Sequence, residues 1–130
     1  MRIKKYKSFN ESKNKFPNIK TLDIDGFVVY LGCDAKSNDH ITFNMSDPDD
    51  IWFHVKGFPG SHVLILVREK LPTPEVIRKV AEIAKKNSKA KGQNEVNVLY
   101  CKVKFVKKEP GMNDGQVKVD YKNSNEIILN

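Results

Sequence analysis

The sequence contains no long hydrophobic run. No unbroken apolar stretch is longer than that from Val63 to Val67, whereas a membrane-spanning helix needs about 20 apolar residues. The basic N-terminus is not followed by an apolar segment, which argues against a secretory signal. We therefore expect a protein that makes no contact with membranes.

Cysteine is also scarce. Cys33 and Cys101 lie far apart and form no C-x-x-C pair, so they cannot supply a metal site on their own. Two reduced thiols are typical of a cytosolic protein. The sequence thus predicts a cytoplasmic protein without a metal or another cofactor.

Charge is plentiful and unevenly distributed. The 130 residues carry a net charge of +7. Residues 1–20 hold seven basic residues and one acidic residue, residues 21–66 hold two and seven, and residues 67–130 hold fourteen and eight. This asymmetry favours a polyanionic partner, although a solvated lysine-rich surface has the same composition.

The chain length and the patterning predict one α+β domain with a mostly antiparallel sheet. We expect a flexible basic tail at 1–17 and the folded domain at 18–130. Asp25-Gly26 predicts a hairpin turn within 21–32. The ordered part contains, in sequence order, a short helix or turn near 36–46, strands at 51–55 and 61–67, a main amphipathic helix at 74–89, and antiparallel strands thereafter. Thr73 and Pro74 suit the start of the main helix, and Gly92 its end.

The most informative segment is the predicted hairpin of strands 51–55 and 61–67. A register centred on Phe58 pairs His54 with His62 and Trp52 with Leu64. Trp52 and both histidines then share one face, close to the Asp50 carboxylate, and the opposite face is apolar core.

Three interpretations of this polar face remain open. The histidines either hold the loop through hydrogen bonds, or stack with Trp52 on unpaired bases while Lys56 and the loop amides take phosphate. The third possibility is an enzyme in which His54, His62 and Asp50 bind a metal or activate water. Ser61 and His62 form no catalytic pair, because neighbours on a strand point to opposite faces.

Lysines could provide further phosphate contacts. Four of the seven residues from 85 to 91 are lysine, which exceeds what a helix C-terminus needs. Tyr100, Lys102 and Lys104 alternate along one predicted strand, and Lys118 and Lys122 along another, so they could form one basic sheet face. An ordinary solvated sheet face is the alternative.

The central motif resembles the NFACT-R domain, the C-terminal module of the NFACT proteins of ribosome-associated quality control. The similarity rests on Asp50-Ile51-Trp52-Phe53-His54-Val55-Lys56 followed by Pro59-Gly60-Ser61-His62-Val63, and it covers about residues 21–129. Further matches, in order, are Gly32, Ala35, Asn38, Asp39, Thr42-Phe43, Ser88-Lys89-Ala90-Lys91, Val98, Tyr100, Val103 to Lys108, Gly115, Val117, Tyr121 and Ile127-Ile128-Leu129.

The resemblance implies RNA binding, with tRNA or rRNA as the RNA and the ribosome as a further partner. Bacterial family members help to add alanine tails to stalled chains. Because the other domains of those proteins are absent here, we expect a stand-alone module and do not carry over tail synthesis. Stand-alone members have been suggested to act in RNA modification, which keeps the enzyme interpretation open. A module that docks on the ribosome or on a partner protein is a further alternative. The predicted nucleic-acid contacts are Trp52, His54, Lys56, Gly60, Ser61, His62, Lys89, Lys91, Lys102 and Lys104, supported by Asp50, Pro59, Asn38 and Asp39.

Overall fold

The computed structural model describes residues 18–130, so the predicted basic tail lies outside the described residues. The strands are β1 (Ile19–Ile24), β2 (Phe27–Gly32), β3 (Ile51–Val55), β4 (Val63–Ile65), β5 (Val96–Lys102), β6 (Val106–Lys107), β7 (Lys118–Val119) and β8 (Asn125–Leu129). The helices are α1 (Ala35–Asn44) and α2 (Pro74–Lys86), with short 3-10 turns at Val103–Phe105 and Tyr121–Asn123.

Six strands form one antiparallel sheet in the order β1-β2-β4-β3-β5-β8, and β6 and β7 form a separate ribbon. This arrangement confirms the predicted α+β class. The β1–β2 turn is the predicted one, because Asp25 and Gly26 both adopt positive φ angles of 52° and 89°. Such angles match the twist of a two-residue hairpin.

Both faces of the sheet are covered. Helix α2 packs Val76, Val80 and Ala84 onto one face, which includes Phe53 and Val55. The opposite face is covered by Ile41 of α1, by Met45 directly after this helix, and by residues 103–119, which contribute Val103, Val106 and Val119. A sheet with two apolar faces must be covered on both, and this decides the environment of the central hairpin.

Helix α2 begins where the sequence predicts and ends earlier. The Thr73 side chain accepts a hydrogen bond from Val76 N, and Pro74 occupies the first turn. The helix ends at Lys86 rather than residue 89, because Asn87 Nδ2 donates to Ile83 O and Ser88 Oγ donates to Lys85 O. These side chains satisfy carbonyls of the last turn, so Gly92 is not the stop.

Helix α1 is a full helix with a different start. The Asp34 side chain accepts from Ser37 N and caps α1 at Ala35, one residue before the predicted boundary. The strand predicted at 61–67 is shorter, because only Val63–Ile65 pair as β4.

The single basic sheet face predicted for the last third is wrong. Strand β5 ends at Lys102, and the backbone turns because Val103 N donates to Asp50 O and Lys104 N donates to Pro48 O. Lys104 therefore lies in a 3-10 turn, and Lys118 lies in the separate β6–β7 ribbon. Tyr100 stacks on Phe53 with ring centroids 5.5 Å apart instead of presenting its face to solvent.

Candidate nucleic-acid interface

Three aromatic rings, two from β3 and one from the residue that precedes β4, meet on one face of the sheet. The predicted register is confirmed, since Trp52 pairs with Leu64 and Phe53 pairs with Val63. Trp52 and His54 stack with centroids 5.8 Å apart, and His62 meets both edge-on at 5.2 and 5.5 Å. We call Trp52, His54 and His62 the three-ring cluster.

Two rings of this cluster lie below the surface. Trp52 and His62 are each 1% exposed, because α1 and residues 103–119 cover this face. Their predicted stacking on RNA bases does not fit this burial. His54 is only partly buried, so it is the member of the cluster that reaches the surface.

His62 is held by two neutral hydrogen bonds. Its Nδ1 lies 2.9 Å from Thr42 Oγ1, and its Nε2 lies 3.2 Å from Gly115 O. A carbonyl only accepts, so Nε2 carries the proton and Nδ1 accepts from the Thr42 hydroxyl. Burial lowers the pKa of His62 to about 3, helped by the proximity of His54 and Lys108. Burial also lowers the pKa of His54, so both imidazoles are neutral at pH 7.

Asp50 does not join the histidines. It is buried, and its carboxylate accepts from Asp47 N at 2.8 Å and Val67 N at 2.9 Å. Asp50 precedes His54 by four residues of extended chain, which separates their Cα atoms by about 13 Å. In residues 18–130, no group of three His, Cys, Asp or Glu side chains is placed to hold a metal ion. The proposed His54/His62/Asp50 catalytic cluster is therefore not assembled.

The loop at 57–61 is joined to the segment that follows α2. Ser61 N donates to Asn87 O at 3.0 Å, and Lys89 N donates to Pro59 O at 2.9 Å. Glycine is required at 60, because a Cβ there would lie 2.6 Å from Ser88 Cβ. Asn38 braces the other side of the loop, since its Oδ1 accepts from His62 N at 3.0 Å.

This pairing places the end of α2 beside the loop. Lys86, Lys89 and Lys91 line a groove of about 510 Å³ together with Pro59 and Gly60, and we call it the lysine groove. Lys85 lies next to it, in a depression that also contains Glu82. None of these four lysines forms an ion pair with another residue in the described part of the chain, so their charges are available to a polyanion.

The other predicted lysines are partly neutralised. Lys56 Nζ lies 2.8 Å from the Glu126 carboxylate. Lys102 and Lys104 share Asp49 at 3.6 and 3.4 Å. Lys102 pairs with Ile51 at the start of β3, whereas the lysine groove lies beyond the other end of β3, next to the loop at 57–61. The predicted lysines thus form two separate patches. Asp39 is engaged as well, with Lys108 at 2.9 Å.

Comparison with known proteins agrees with this architecture. The family model described as the NFACT protein RNA binding domain matches residues 15–121. The chain belongs to the NFACT RNA-binding domain family.

No helix in residues 18–130 is both long enough and apolar enough to cross a bilayer.

Similar proteins include much longer ones. The Rqc2 homolog RqcH of Bacillus subtilis is 36% identical over 121 residues, covering 92% of this chain and 21% of that protein. Coiled-coil domain-containing protein 25 of Bos taurus is 30% identical, covering 75% of this chain and 49% of that protein. The C-terminal part of a fibronectin/fibrinogen-binding protein from Streptococcus suis superposes with a TM-score of 0.77 at 32% identity, covering 86% of this chain and 44% of that chain. This NFACT RNA-binding domain therefore spans about a fifth to a half of the length of these proteins.

For several residues that build the site of this NFACT RNA-binding domain, no local pattern in the sequence indicates the contact that they make. Thr42 and Gly115 hold His62 from elements 20 and 53 residues away. Asn87 resembles any polar residue at a helix end, although its carbonyl anchors the loop. Lys85 and Lys86 were detectable as part of the lysine run, since density of charge is itself a sequence signal.

Proposed function

We propose that this domain binds RNA of the translation machinery, tRNA or rRNA, through the lysine groove and the adjoining loop at 57–61. The observation that carries the proposal is the backbone pairing of Pro59–Ser61 with Asn87–Lys89, which holds lysines without ion-pair partners in the described chain around one groove. Family membership supports RNA as the polyanion, and the resemblance to quality-control proteins supports a ribosomal context in the cytoplasm.

The mode of binding follows from the groups at the surface. Lysine ammonium groups recognise phosphate as point charges, so they give affinity more than sequence preference. The buried Trp52 and His62 act as supports that fix the loop from below. We keep Lys102 and Lys104 as a second predicted RNA contact, and we expect it to be weaker because both lysines pair with Asp49.

Salt dependence tests this proposal. Binding to a single-stranded RNA and to a tRNA is measured by fluorescence anisotropy over a range of salt concentrations. Each phosphate contact to single-stranded RNA contributes about 0.7 to the slope of log affinity against log salt. Lys89→Gln with Lys91→Gln should therefore reduce the magnitude of the slope by about 1.4.

The matched control is Lys102→Gln with Lys104→Gln, which removes the same charge from the other patch. We expect a smaller change in slope, since Asp49 already competes for both lysines. Equal changes would show that the interface is not centred on the lysine groove. Absence of RNA binding at low salt would refute the proposal, and binding that survives high salt would indicate a protein-interaction module instead.

A further inference from the structure

A second depression adjoins the lysine groove and has the opposite character. It encloses about 450 Å³ and is lined by His54, Ser61, Asn38, Asp34, Asp114 and Gln116 among others. We call it the His54 cleft. Pro59, Gly60 and Asn87 line both depressions, so they form a shared wall.

The two depressions carry side chains of opposite charge. Within residues 18–130, the lining of the His54 cleft includes the carboxylates of Asp34 and Asp114 and no lysine or arginine. The lining of the lysine groove includes three lysines and no carboxylate. A phosphate is repelled by the first and attracted by the second, whereas an uncharged heterocycle with amino groups suits the first.

Polar groups in the cleft have unused hydrogen-bonding capacity. Ser61 is 9% exposed, and its hydroxyl makes no hydrogen bond to any other described residue. Gln116 accepts from Asn113 N through Oε1, which leaves its amide nitrogen as a donor. The Ser61 hydroxyl is not fully enclosed and lines the cleft, so it is available to a bound ligand.

His54 supplies an aromatic surface in the same cleft. It stacks on Trp52 at an interplanar angle of 17°, which fixes its ring against a buried neighbour. Its neutral imidazole adds no positive charge that would attract phosphate into the cleft. Unpaired bases are commonly recognised by an aromatic ring together with a few polar groups.

We propose that the His54 cleft receives one unpaired nucleobase that carries an exocyclic amino group, while the adjacent RNA backbone follows the lysine groove across Pro59 and Gly60. The Asp114 carboxylate accepts from the amino group, because the Asp34 carboxylate already accepts from Ser37 N and Asn18 Nδ2. Ser61 and Gln116 contact the polar edge of the base. This inference rests on the proposed function and adds a preference for particular bases to it.

The test compares four RNA heptamers that differ only at the central position, which is adenosine, cytidine, uridine or an abasic ribose. All other positions are uridine. Affinity for the full chain is measured by fluorescence anisotropy. We expect adenosine or cytidine to bind about two- to tenfold more tightly than uridine, since uridine has no amino group to donate. The abasic heptamer should bind no better than uridine.

Two kinds of variant separate the base from the backbone. Ser61→Ala and Asp114→Asn should each reduce the ratio between the amino-bearing bases and uridine. The ratio is the readout, because removing a carboxylate raises affinity for every RNA. Lys89→Gln with Lys91→Gln should weaken all four heptamers by a similar factor and keep the ratio.

The outcomes distinguish this inference from the proposed function. Equal binding of all four heptamers, with the salt dependence intact, would overturn the base cleft and leave RNA binding in place. Discrimination that persists in both cleft variants would also overturn it. Failure of every heptamer to bind at low salt, with tRNA also unbound, would refute the proposed function itself.

Discussion

Mild acid should destabilise this protein through His62. In the folded state the imidazole is buried, donates from Nε2 to Gly115 O and accepts at Nδ1 from Thr42. Protonation would place a charge in this site and remove the acceptor, which is why the pKa falls to about 3. In the unfolded chain the same histidine titrates near its ordinary pKa of 6.5. The unfolded state therefore binds more protons at any pH between these values, and stability rises with pH.

The magnitude follows from the two pKa values. Above pH 6.5 both states hold the neutral ring, and the contribution to stability is fully present. Each pH unit below that value costs about 1.4 kcal/mol until the folded pKa is reached. Lowering the pH from 7.5 to 5.0 should thus remove about 2 kcal/mol from the free energy of unfolding. Small domains have about 5–15 kcal/mol in total, so the loss is large. The lowered pKa of His54 acts in the same direction.

The assay is urea unfolding at a series of pH values between 7.5 and 5.0, a window in which carboxylates are mostly ionised. His62→Gln should reduce the pH dependence to the part that His54 contributes, whatever the stability of the variant at neutral pH. His40→Gln is the matched control, because it removes a histidine outside the three-ring cluster, and the dependence should persist. A free energy of unfolding that is unchanged across the window would refute the reasoning. So would an NMR titration of the His62 ring with a midpoint near 6.5.

Two further substitutions probe the supports of the interface. Gly60→Ala should lower the free energy of unfolding by about 1–3 kcal/mol and weaken RNA binding, because the new methyl group would lie 2.6 Å from Ser88 Cβ. The control is Gly92→Ala, where a Cβ has no neighbour within 4 Å, and this variant should be close to neutral in urea unfolding. Thr42→Val should lower the free energy of unfolding by about 1–3 kcal/mol, because Nδ1 of the buried His62 ring would lose its hydrogen-bond donor. The control is Thr21→Val, whose hydroxyl has no partner in the described chain; equal losses in the two valine variants would contradict the assigned hydrogen bond.

Local patterns predicted the parts of the fold that depend on neighbouring residues. The parity of the two strands fixed the pairing of Trp52 with Leu64, and Asp25-Gly26 fixed the first hairpin. Thr73 marked the start of α2, because capping depends on residues within one turn. Each of these features arises from interactions that span only a few residues or one hairpin.

The remaining features depend on contacts between distant segments. Period-two patterning places Trp52 and His62 on the same face of the sheet, but it does not tell whether that face is covered. Helix α1 and residues 103–119 bury it. Alternation of apolar and basic residues also continues past Lys102 in the sequence, although the backbone turns there to bond with Pro48 and Asp50.

The two buried members of the three-ring cluster, Trp52 and His62, should therefore affect RNA binding through position and not through contact. His62 links α1 to the loop that carries Gly115, and its backbone amide donates to Asn38, which braces the loop at 57–61. Removing the imidazole should loosen that loop and lower stability together. Removing Lys89 and Lys91 should lower affinity alone, since both side chains are exposed and unpaired within residues 18–130. The two classes of variant consequently differ in their unfolding curves even where their RNA affinities fall by the same factor, and that difference separates a supporting residue from a contacting one.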